Sequence, residues 1–423
     1  MGIQALILEA NETVGGRMQS IQVDDALIDY GAQFLSSAYT IIPDLIKEAQ
    51  LNDEFVKTSD WVGLIRNQGI TLFQPQNPWQ LLTKHVLSIG SLLRLVFNQV
   101  RFFNLNKKSL NDITEWTKYD GEMAIDWMIK NYGKEVANKL AAPIVNGFYF
   151  QSLNHSSAAL IAAVLAFSVH RPKTMALISG MDSLPQKLAN QLNIKTNVSV
   201  SSVMETPSGI KIISDSGEWN TEHVIMTVPA PIAKNLIQKP DKQTLRLLET
   251  EYSSSIIISL LTSNNWTSPS NIQSAYGFLY SPEINSKIAA IAIENNKYYA
   301  RSKQGFLINI MLSDQWAKKL LHLSDEDIYK EIQIDVENIL PNIYSNLQMK
   351  KMFRWQYAMP YTPIGRAKAV KEYCDTRNKN NRMWLAGDYL GFPWTDSAAQ
   401  TGLWAANQVL QLPSGHLLFV LSG

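Results

Sequence analysis

Hydrophobic and polar positions fall into three textures along this chain. The first opens it. Gln4-Ala5-Leu6-Ile7-Leu8-Glu9 is an apolar run ending on an acid, and Gly15-Gly16-Arg17 follows, which predicts a strand and then a glycine loop. Ile21 and Val23, then Leu27 and Ile28, flank Asp24-Asp25 and predict a hairpin. Gly31-Ala32-Gln33-Phe34 opens a loop before a helix over about 41–50. The second texture is helical. From Pro78 to Phe103, Leu81, Leu82, Val86, Leu92, Leu93, Leu95 and Val96 are interleaved with Lys84, Arg94 and Arg101. That spacing predicts an amphipathic helix pair, either packed on a core or facing lipid. Further helices are predicted over 121–132, 135–146 and 156–170.

The third texture is short and strand-like. Val198 to Glu205 and Gly209 to Ser214 are separated by the turn Pro207-Ser208-Gly209. His223 to Val228 reads as a buried strand stopped by Pro229-Ala230-Pro231, and Ser253 to Leu261 as another. Asp325 to Leu340 reads as a helix capped by Ser324. Met383-Trp384-Leu385-Ala386 is a last strand, followed by Gly387-Asp388 and a helix over 397–410. Similar glycine-acid chemistry after the strands near residues 5 and 385 predicts one domain built from distant segments.

Composition narrows the function. Hydrophobic residues make up 46% and charged residues 18% of 423, which suits an ordered chain with a sizeable core. A formal net charge of +1 provides no field for nucleic acid. Six histidines, with neither Cys-x-x-Cys nor His-Glu-x-x-His, predict no dedicated metal site. The one cysteine, Cys374, excludes an internal disulfide and fits a reducing compartment. No basic-then-apolar leader opens the sequence, and the longest apolar run, Ala158 to Val169, is shorter than the ~20 residues of a spanning helix. The expected location is cytoplasmic, with peripheral membrane contact through 79–103 as an option.

Two places carry candidate chemistry. Glu9 ends an apolar strand, where a carboxylate can accept hydrogen bonds from the vicinal hydroxyls of a ribose. Alone it reads better as an ordinary exposed loop acid. Gly15-Gly16 lets backbone approach a phosphate, and Arg17 offers a fork of donors to phosphate oxygens. Near the other end, Gly387-Asp388 precedes Ser397-Ala398-Ala399-Gln400-Thr401-Gly402, a helix start rich in small residues against which a flat ring could lie. Tight helix packing would explain those alanines too, but not the Gly-Asp before them. Trp355, Tyr357, Tyr361 and Trp394 are candidates for a pocket wall or for core. His155 and His170 flank an apolar helix and read as boundary residues.

Leu8-Glu9-Ala10 with Val14-Gly15-Gly16-Arg17, Asp29-Tyr30-Gly31-Ala32-Gln33-Phe34, and Ala386-Gly387-Asp388 with Ala399-Gln400-Thr401-Gly402 together resemble the flavin-containing amine oxidase and protoporphyrinogen oxidase superfamily. Ser179 to Pro185, Val198 to Val203 and Val224 to Pro229 resemble its intermediate elements, so the likeness spans nearly the whole chain. The resemblance implies an α/β fold. A Rossmann-like FAD-binding domain would comprise 1–60, 175–245 and 373–414. A discontinuous substrate domain of mixed sheet and helices would comprise 61–174 and 246–372, with 415–423 a tail. It also implies non-covalent FAD, a small-molecule substrate and an electron acceptor such as oxygen. Glu9 would hold the adenosine ribose. Gly16 and Arg17 would lie along the pyrophosphate, and Gly31, Ala32, Gln33 and Phe34 near the isoalloxazine. Val203 would meet adenine through its backbone. Gly387 and Asp388 would reach the ribityl-pyrophosphate, and Thr395 the pyrimidine edge. Trp394, with Tyr357 and Tyr361, would wall the substrate pocket.

Three departures qualify this. No Gly-x-Gly occurs among the 21 glycines, so the expected first strand and phosphate loop, about 30 residues, are missing from the sequence. Met1-Gly2 falls where the family's first helix ends, as if the start were placed downstream of the true one, and the sheet should then lack its central strand. Tyr252-Ser253-Ser254-Ser255-Ile256-Ile257 contains no lysine where many amine oxidases keep one beside the flavin, so no catalytic base is assigned. Cys374 lacks the surroundings of the family's flavin-linked cysteine. The expected reaction is hydride transfer from a C–N or C–C bond of a small or hydrophobic substrate to flavin N5. The alternatives are a desaturase, isomerase or protoporphyrinogen-oxidase-like enzyme on a membrane-associated substrate, and a remnant that retains no FAD.

Overall fold

The computed structural model describes residues 4–75, 77–103, 109–270, 272–284, 286–298, 301–378, 380–410 and 417–422. Two sheets organise the chain. The first is small and parallel, in the order Met383–Leu385, His223–Met226, Leu417–Ser422, Gln4–Glu9, Ile194–Lys195. A parallel sheet needs cover on both faces. Ile225 and Trp384 pack on Ala405 and Val409 of the helix Thr395–Leu410. Leu8, Val224 and Met226 join a core with Ala230, Leu247, Val370 and Tyr373.

The register of this sheet sets up the site. Glu9 lies beside Ser422, Leu421 beside Met226, and Met226 beside Leu385. The carboxyl ends of four strands are therefore level, and such an edge is where open α/β sheets bind ligands.

The central strand corrects the sequence reading. Residues 415–423, expected as a tail, include the strand Leu417–Ser422, which runs between Gln4–Glu9 and His223–Met226. Positions 1–3, 415, 416 and 423 lie outside the described residues. The physical reason is backbone satisfaction. Two parallel strands with no partner between them would leave buried N–H and C=O groups unpaired, and this apolar segment pairs with both. The sheet does not lack its centre.

The second sheet has seven strands, in the order Leu347–Pro360, Tyr252–Thr262, Leu307–Leu312, Ile288–Ile293, Ala275–Tyr280, Trp61–Arg66, Gly69–Phe73. Tyr252–Thr262 is buried along its whole length. Helices Ala124–Tyr132, Ala142–Tyr149 and Ala158–Val169 lie on the same side of the molecule as the cavity described below. Ser157 caps the last of these by accepting a hydrogen bond from the Ala159 N–H.

The predicted 78–103 pair appears as Pro78–Thr83 and Ile89–Phe103. The predicted helix over 135–146 is instead a short turn, Lys134–Val136, a π turn, Ala137–Ala141, and the helix Ala142–Tyr149. Pro143 explains the break, because it has no N–H to give the Lys139 carbonyl one turn back. The wider turn lets Lys139, Leu140 and Ala141 all reach the cavity.

Candidate functional site

One cavity of about 1600 Å³ extends from the carboxyl edge of the parallel sheet to the face of the seven-stranded sheet. It exceeds the ~300–1,000 Å³ typical of a single ligand site, leaving room for a large cofactor and a second molecule.

At the parallel-sheet end, Glu9, Gly16, Arg17, Gly31, Ala32, Gln33, Phe34, Gly387, Asp388 and Thr395 all line it. Gly15 and Gly16 take positive φ, 117° and 55°, where a side chain would be strained. Gly31 is demanded differently: a Cβ there would sit 2.0 Å from the Arg17 carbonyl oxygen. That carbonyl accepts from the Ala32 N–H at 2.8 Å, so the two loops are laced together. Arg17 then forks onto Asp388 through Nη1–Oδ2 at 2.7 Å and Nη2–Oδ1 at 2.9 Å, and onto the Ala358 carbonyl at 2.8 Å. Burial alone would lower the Arg17 pKa, but the charge of Asp388 and its hydrogen bonds hold it above the usual range. Residues 371 positions apart thus form one charged floor.

Thr395 and Trp394 are placed by a buried carboxylate the sequence did not flag. Asp396 accepts from the N–H groups of Thr40, Ile41 and Ile42 at 2.7–2.8 Å, capping the helix Ile42–Glu48. Asn111 donates to Asp396 at 2.6 Å and accepts from Trp394 Nε1 at 2.9 Å. Trp394 stacks on Phe392 with ring centres 4.7 Å apart, beside Tyr149 and Phe167. Capping by a residue over 350 positions away leaves no local sequence signal.

Gln33 spends its side chain inward. Its amide donates to the carbonyls of Asp29 and Gly31 and accepts from Asn309. Behind it lies a fully buried ion cluster. Asp29 meets Lys297 at 2.7 Å and Arg301 at 3.0 Å, and Lys297 meets Glu294 at 2.9 Å. Burial would raise the Asp29 pKa, but the two cations more than offset it and hold it below the carboxylate range. Burial, helped by the Asp29 charge, raises Glu294.

Two predicted site residues fall elsewhere. Val203 is buried but does not line the cavity, and its carbonyl accepts from the Gln238 N–H at 2.9 Å. Tyr361 also misses the cavity: its hydroxyl donates to Asp314 and accepts from Lys318. It follows directly on the strand that ends at Pro360, where the chain turns away. Tyr357 and Trp394 do line the cavity, and so does Trp355, whose indole donates to the Tyr30 carbonyl.

The far half of the cavity is apolar, with Val62, Leu64, Leu95, Ile144, Phe148 and Met311 among its walls. Its charges are one-sided. The only carboxylates among the described lining residues, Glu9 and Asp388, are both at the sheet-edge end. Lys139, paired with Glu135 at 2.8 Å, lines the cavity too, as do Arg171 and Lys173, both exposed at its rim. In place of a lysine, Ser255 presents a buried hydroxyl without a partner. Lys297 is committed to Asp29 and Glu294 and lies outside the lining.

The residues fit FAD. Gly16 and Gly402 offer bare backbone, with nothing within 4 Å of where a Cβ would stand. Thr395 Oγ1 is buried at the cavity wall beside Tyr39, placed for the polar edge of a ring. Among the described residues no group of three or more His, Cys, Asp or Glu could hold a metal ion.

Known proteins agree with this geometry. The profile of the family described as flavin containing amine oxidoreductase matches residues 1–410. Coproporphyrinogen III oxidase of Bacillus subtilis (strain 168) is 21% identical over 412 residues, covering 88% of this chain and 83% of that protein. A proposed protoporphyrinogen oxidase from Exiguobacterium sp. 255-15 shares the fold with a TM-score of 0.72 at 14% identity, over 97% of this chain and 99% of the other. Cyclohexylamine oxidase from Brevibacterium oxydans IH-35A shares it with a TM-score of 0.73 at 13% identity and the same coverage. With the motif loops, the paired floor and the cavity in place, the chain belongs to the flavin-containing amine oxidoreductase family, whose cofactor is FAD.

Proposed function

We propose that the protein oxidises an apolar substrate bearing acidic substituents, removing a hydride from a C–N or C–C bond. The observation that carries this is the charge of the substrate half. Among the described lining residues no carboxylate there could balance a protonated amine, whereas Arg171 and Lys173 can meet anionic groups on an otherwise greasy molecule, with Lys139 already paired to Glu135 at 2.8 Å. The likeness to coproporphyrinogen III oxidase supports the same class.

FAD held non-covalently would supply the hydride-accepting ring. Arg17 and Asp388 would hold its polar middle, Glu9 its ribose, and Thr395 Oγ1 its pyrimidine edge. Trp394 and Tyr357 would fix the substrate plane against it, and the apolar wall would exclude water. The Tyr252–Ile257 segment offers no lysine for the proton that leaves with the hydride; Ser255 presents a hydroxyl there, and no base is assigned. The electrons would pass to an acceptor such as oxygen. Cys374 does not line the cavity, and burial pushes its thiol up to about 12, which fits non-covalent binding.

The test is to purify the chain, record flavin absorbance after adding FAD, and compare coproporphyrinogen III, protoporphyrinogen IX, putrescine and cyclohexylamine as substrates. Turnover of the porphyrinogens and not the amines is expected. A protein that stays colourless in excess FAD, or one that oxidises only amines, would sink the reading.

A second reading concerns where the substrate enters. Ile89, Leu93, Val96, Phe97 and Val100 form one exposed apolar stripe on the helix Ile89–Phe103, with Trp79 70% exposed nearby. Leu95, Val96, Gln99 and Val100 of that helix line the cavity. The stripe suits a lipid surface from which an apolar substrate could pass directly inward. Among the described residues no helix is long and apolar enough to cross a membrane, so the contact would be peripheral. Cosedimentation with anionic vesicles, lost in a Phe97→Ser/Val100→Ser double variant, is expected. Equal binding by both forms would remove this part.

A further inference from the structure

Behind the cavity wall four charged side chains are fully buried, and the chemistry above uses none of them. Asp29 ends the strand Ala26–Asp29, while Glu294, Lys297 and Arg301 follow the strand Ile288–Ile293. A buried ion cluster is a poor source of stability, because desolvation offsets most of the attraction. Its other hydrogen bonds show what it holds. Asp29 Oδ1 accepts from Ser20 Oγ at 2.5 Å and from the Met181 N–H at 3.0 Å. Arg301 Nη2 donates to the Leu177 carbonyl at 2.6 Å. Segments at Ser20, Asp29 and Leu177–Met181 are therefore gathered around 294–301.

Asn309 carries this cluster to the cavity. It is the one polar residue of the strand Leu307–Leu312 and is fully buried. Its Nδ2 reaches the Asp29 carbonyl at 3.0 Å, Gln33 Oε1 at 3.1 Å and Glu294 Oε1 at 3.3 Å, and its Oδ1 accepts from Ser259 Oγ at 2.6 Å. Gln33 Nε2 in turn donates to the Asp29 carbonyl at 2.8 Å, so the two carboxamides close a ring over the end of that strand. Tyr276 completes the grip. Its hydroxyl donates to the Gln33 carbonyl at 3.0 Å, its ring lies 5.6 Å from Lys297 Nζ, and Phe34 meets it edge-on. Gly31, Ala32, Gln33, Phe34 and Tyr276 line the cavity, whereas Asp29, Asn309 and every described residue of 294–301 stand behind it.

We propose that Asn309, backed by the Asp29–Lys297–Glu294–Arg301 cluster, is a positioning residue for the Gly31–Phe34 loop. It turns the Gln33 carboxamide away from the cavity, fixes the loop on which the flavin ring would rest, and ties that seat to Tyr276. The inference rests on the placement of FAD proposed above but not on the substrate class. A carboxamide swung outward would take the space of the ring. FAD must then favour the locked arrangement, and by reciprocity the locked arrangement must favour FAD.

The primary test is FAD affinity in a double-variant cycle, which reads no turnover. Asn309→Leu removes the bonds to Gln33 with little change in volume and should weaken FAD binding about tenfold, the loss of one or two hydrogen bonds. Gln33→Leu should cost a similar factor. Because Asn309 acts through Gln33, the double variant should be no weaker than either single one. Unchanged affinity in Asn309→Leu, or a double variant weakened by the full product of about a hundredfold, would overturn the proposal. At saturating FAD the visible circular dichroism of the bound flavin should change in Asn309→Leu while the far-UV spectrum does not; an unaltered flavin signal would count against it. Hydrogen exchange on the native chain decides the case if the variant does not fold. FAD should slow the Lys297 and Tyr298 amides severalfold, although both bond to the Glu294 carbonyl outside the cavity. Slowing confined to Gly31–Phe34 would overturn the link to the cluster. A chain that binds no FAD would overturn this and the cofactor placement together, whereas oxidation of amines alone would overturn only the substrate class.

Discussion

The sheet-edge end of the cavity, proposed for the cofactor, and its apolar end, proposed for the substrate, are held by different bonds. At the cofactor end polar groups work in specific pairs drawn from far along the chain: Arg17 with Asp388, Asp396 with the helix start at Ile42, Glu9 with Ser422. At the substrate end Val62, Leu64, Ile144, Phe148 and Met311 meet by packing alone. Directional pairs fix atoms to fractions of an ångström but fail when one partner is lost. Apolar walls accept many residues of similar volume. A fold built this way can keep one cofactor and change substrates, which is how a porphyrinogen oxidase and an amine oxidase can share it.

The sharpest way to break the contrast lies where the two halves meet. Asp29 sits in the Ala26–Asp29 strand, and its partners Lys297 and Arg301 come from the substrate half. Lys297→Met leaves Asp29 with a single buried cation and should cost about 3–5 kcal/mol of stability, read from urea unfolding. A cost under about 1 kcal/mol would show the cluster to be replaceable, as some buried ion pairs are. The same cluster gives a pH dependence. Asp29 is held below its ordinary value, so its contribution is full above the unfolded pKa of ~3.9 and is lost as the pH falls through the lowered value. Unfolding monitored from pH 5 downward should show that loss in the native chain and a shallower one in Asp29→Asn.

Next in size is the floor of the cofactor site. Asp388→Ala strands the Arg17 guanidinium and should reduce flavin retained on gel filtration by tenfold or more, with far-UV circular dichroism unchanged. Full retention would mean the pair shapes the loop without serving the cofactor. Smaller again is the rim of the substrate end. Arg171→Glu with Lys173→Glu should raise KM for an acidic porphyrinogen several-fold and leave flavin content alone. The effect should shrink with added salt, because both residues are exposed. An unchanged KM would place the acidic groups of the substrate elsewhere. The smallest expected effect is at Cys374. With its thiol pushed up to about 12 by burial, alkylation at pH 8 should be slow and Cys374→Ser silent for flavin binding. Rapid labelling would show that the helix Arg366–Thr376 opens.

The same contrast explains what the sequence revealed. Glu9, Gly16, Arg17, Gly387 and Asp388 were legible because a strand end followed by glycine and charge is a local pattern. Gly31 was legible as part of a motif, but its reason, the Arg17 carbonyl 2.0 Å from any Cβ, needs the fold. Val203 and Tyr361 lie off the cavity for a related cause. Motif position fixes which segment arrives, but not which residue of it faces the cavity. Asp396 and the Asp29 cluster were invisible because their partners are hundreds of residues away. The run Leu417 to Ser422 did carry a signal, six residues of buried-strand texture, but its place at the end of the chain made it read as a tail.

That placement has a consequence during synthesis. Gln4 pairs with Leu417, so Gln4–Glu9 leaves the ribosome long before the strand that lies beside it. With more than 400 residues between them, and elongation at ~5–20 residues per second, Gln4–Glu9 stays without its neighbour for roughly 20–80 s. The substrate-half strands from Trp61 to Pro360 emerge within that interval and can assemble first. Leu417–Ser422 then joins the parallel sheet after those strands have emerged, and until it does Leu6, Ile7 and Leu8 form an apolar edge open to other nascent chains.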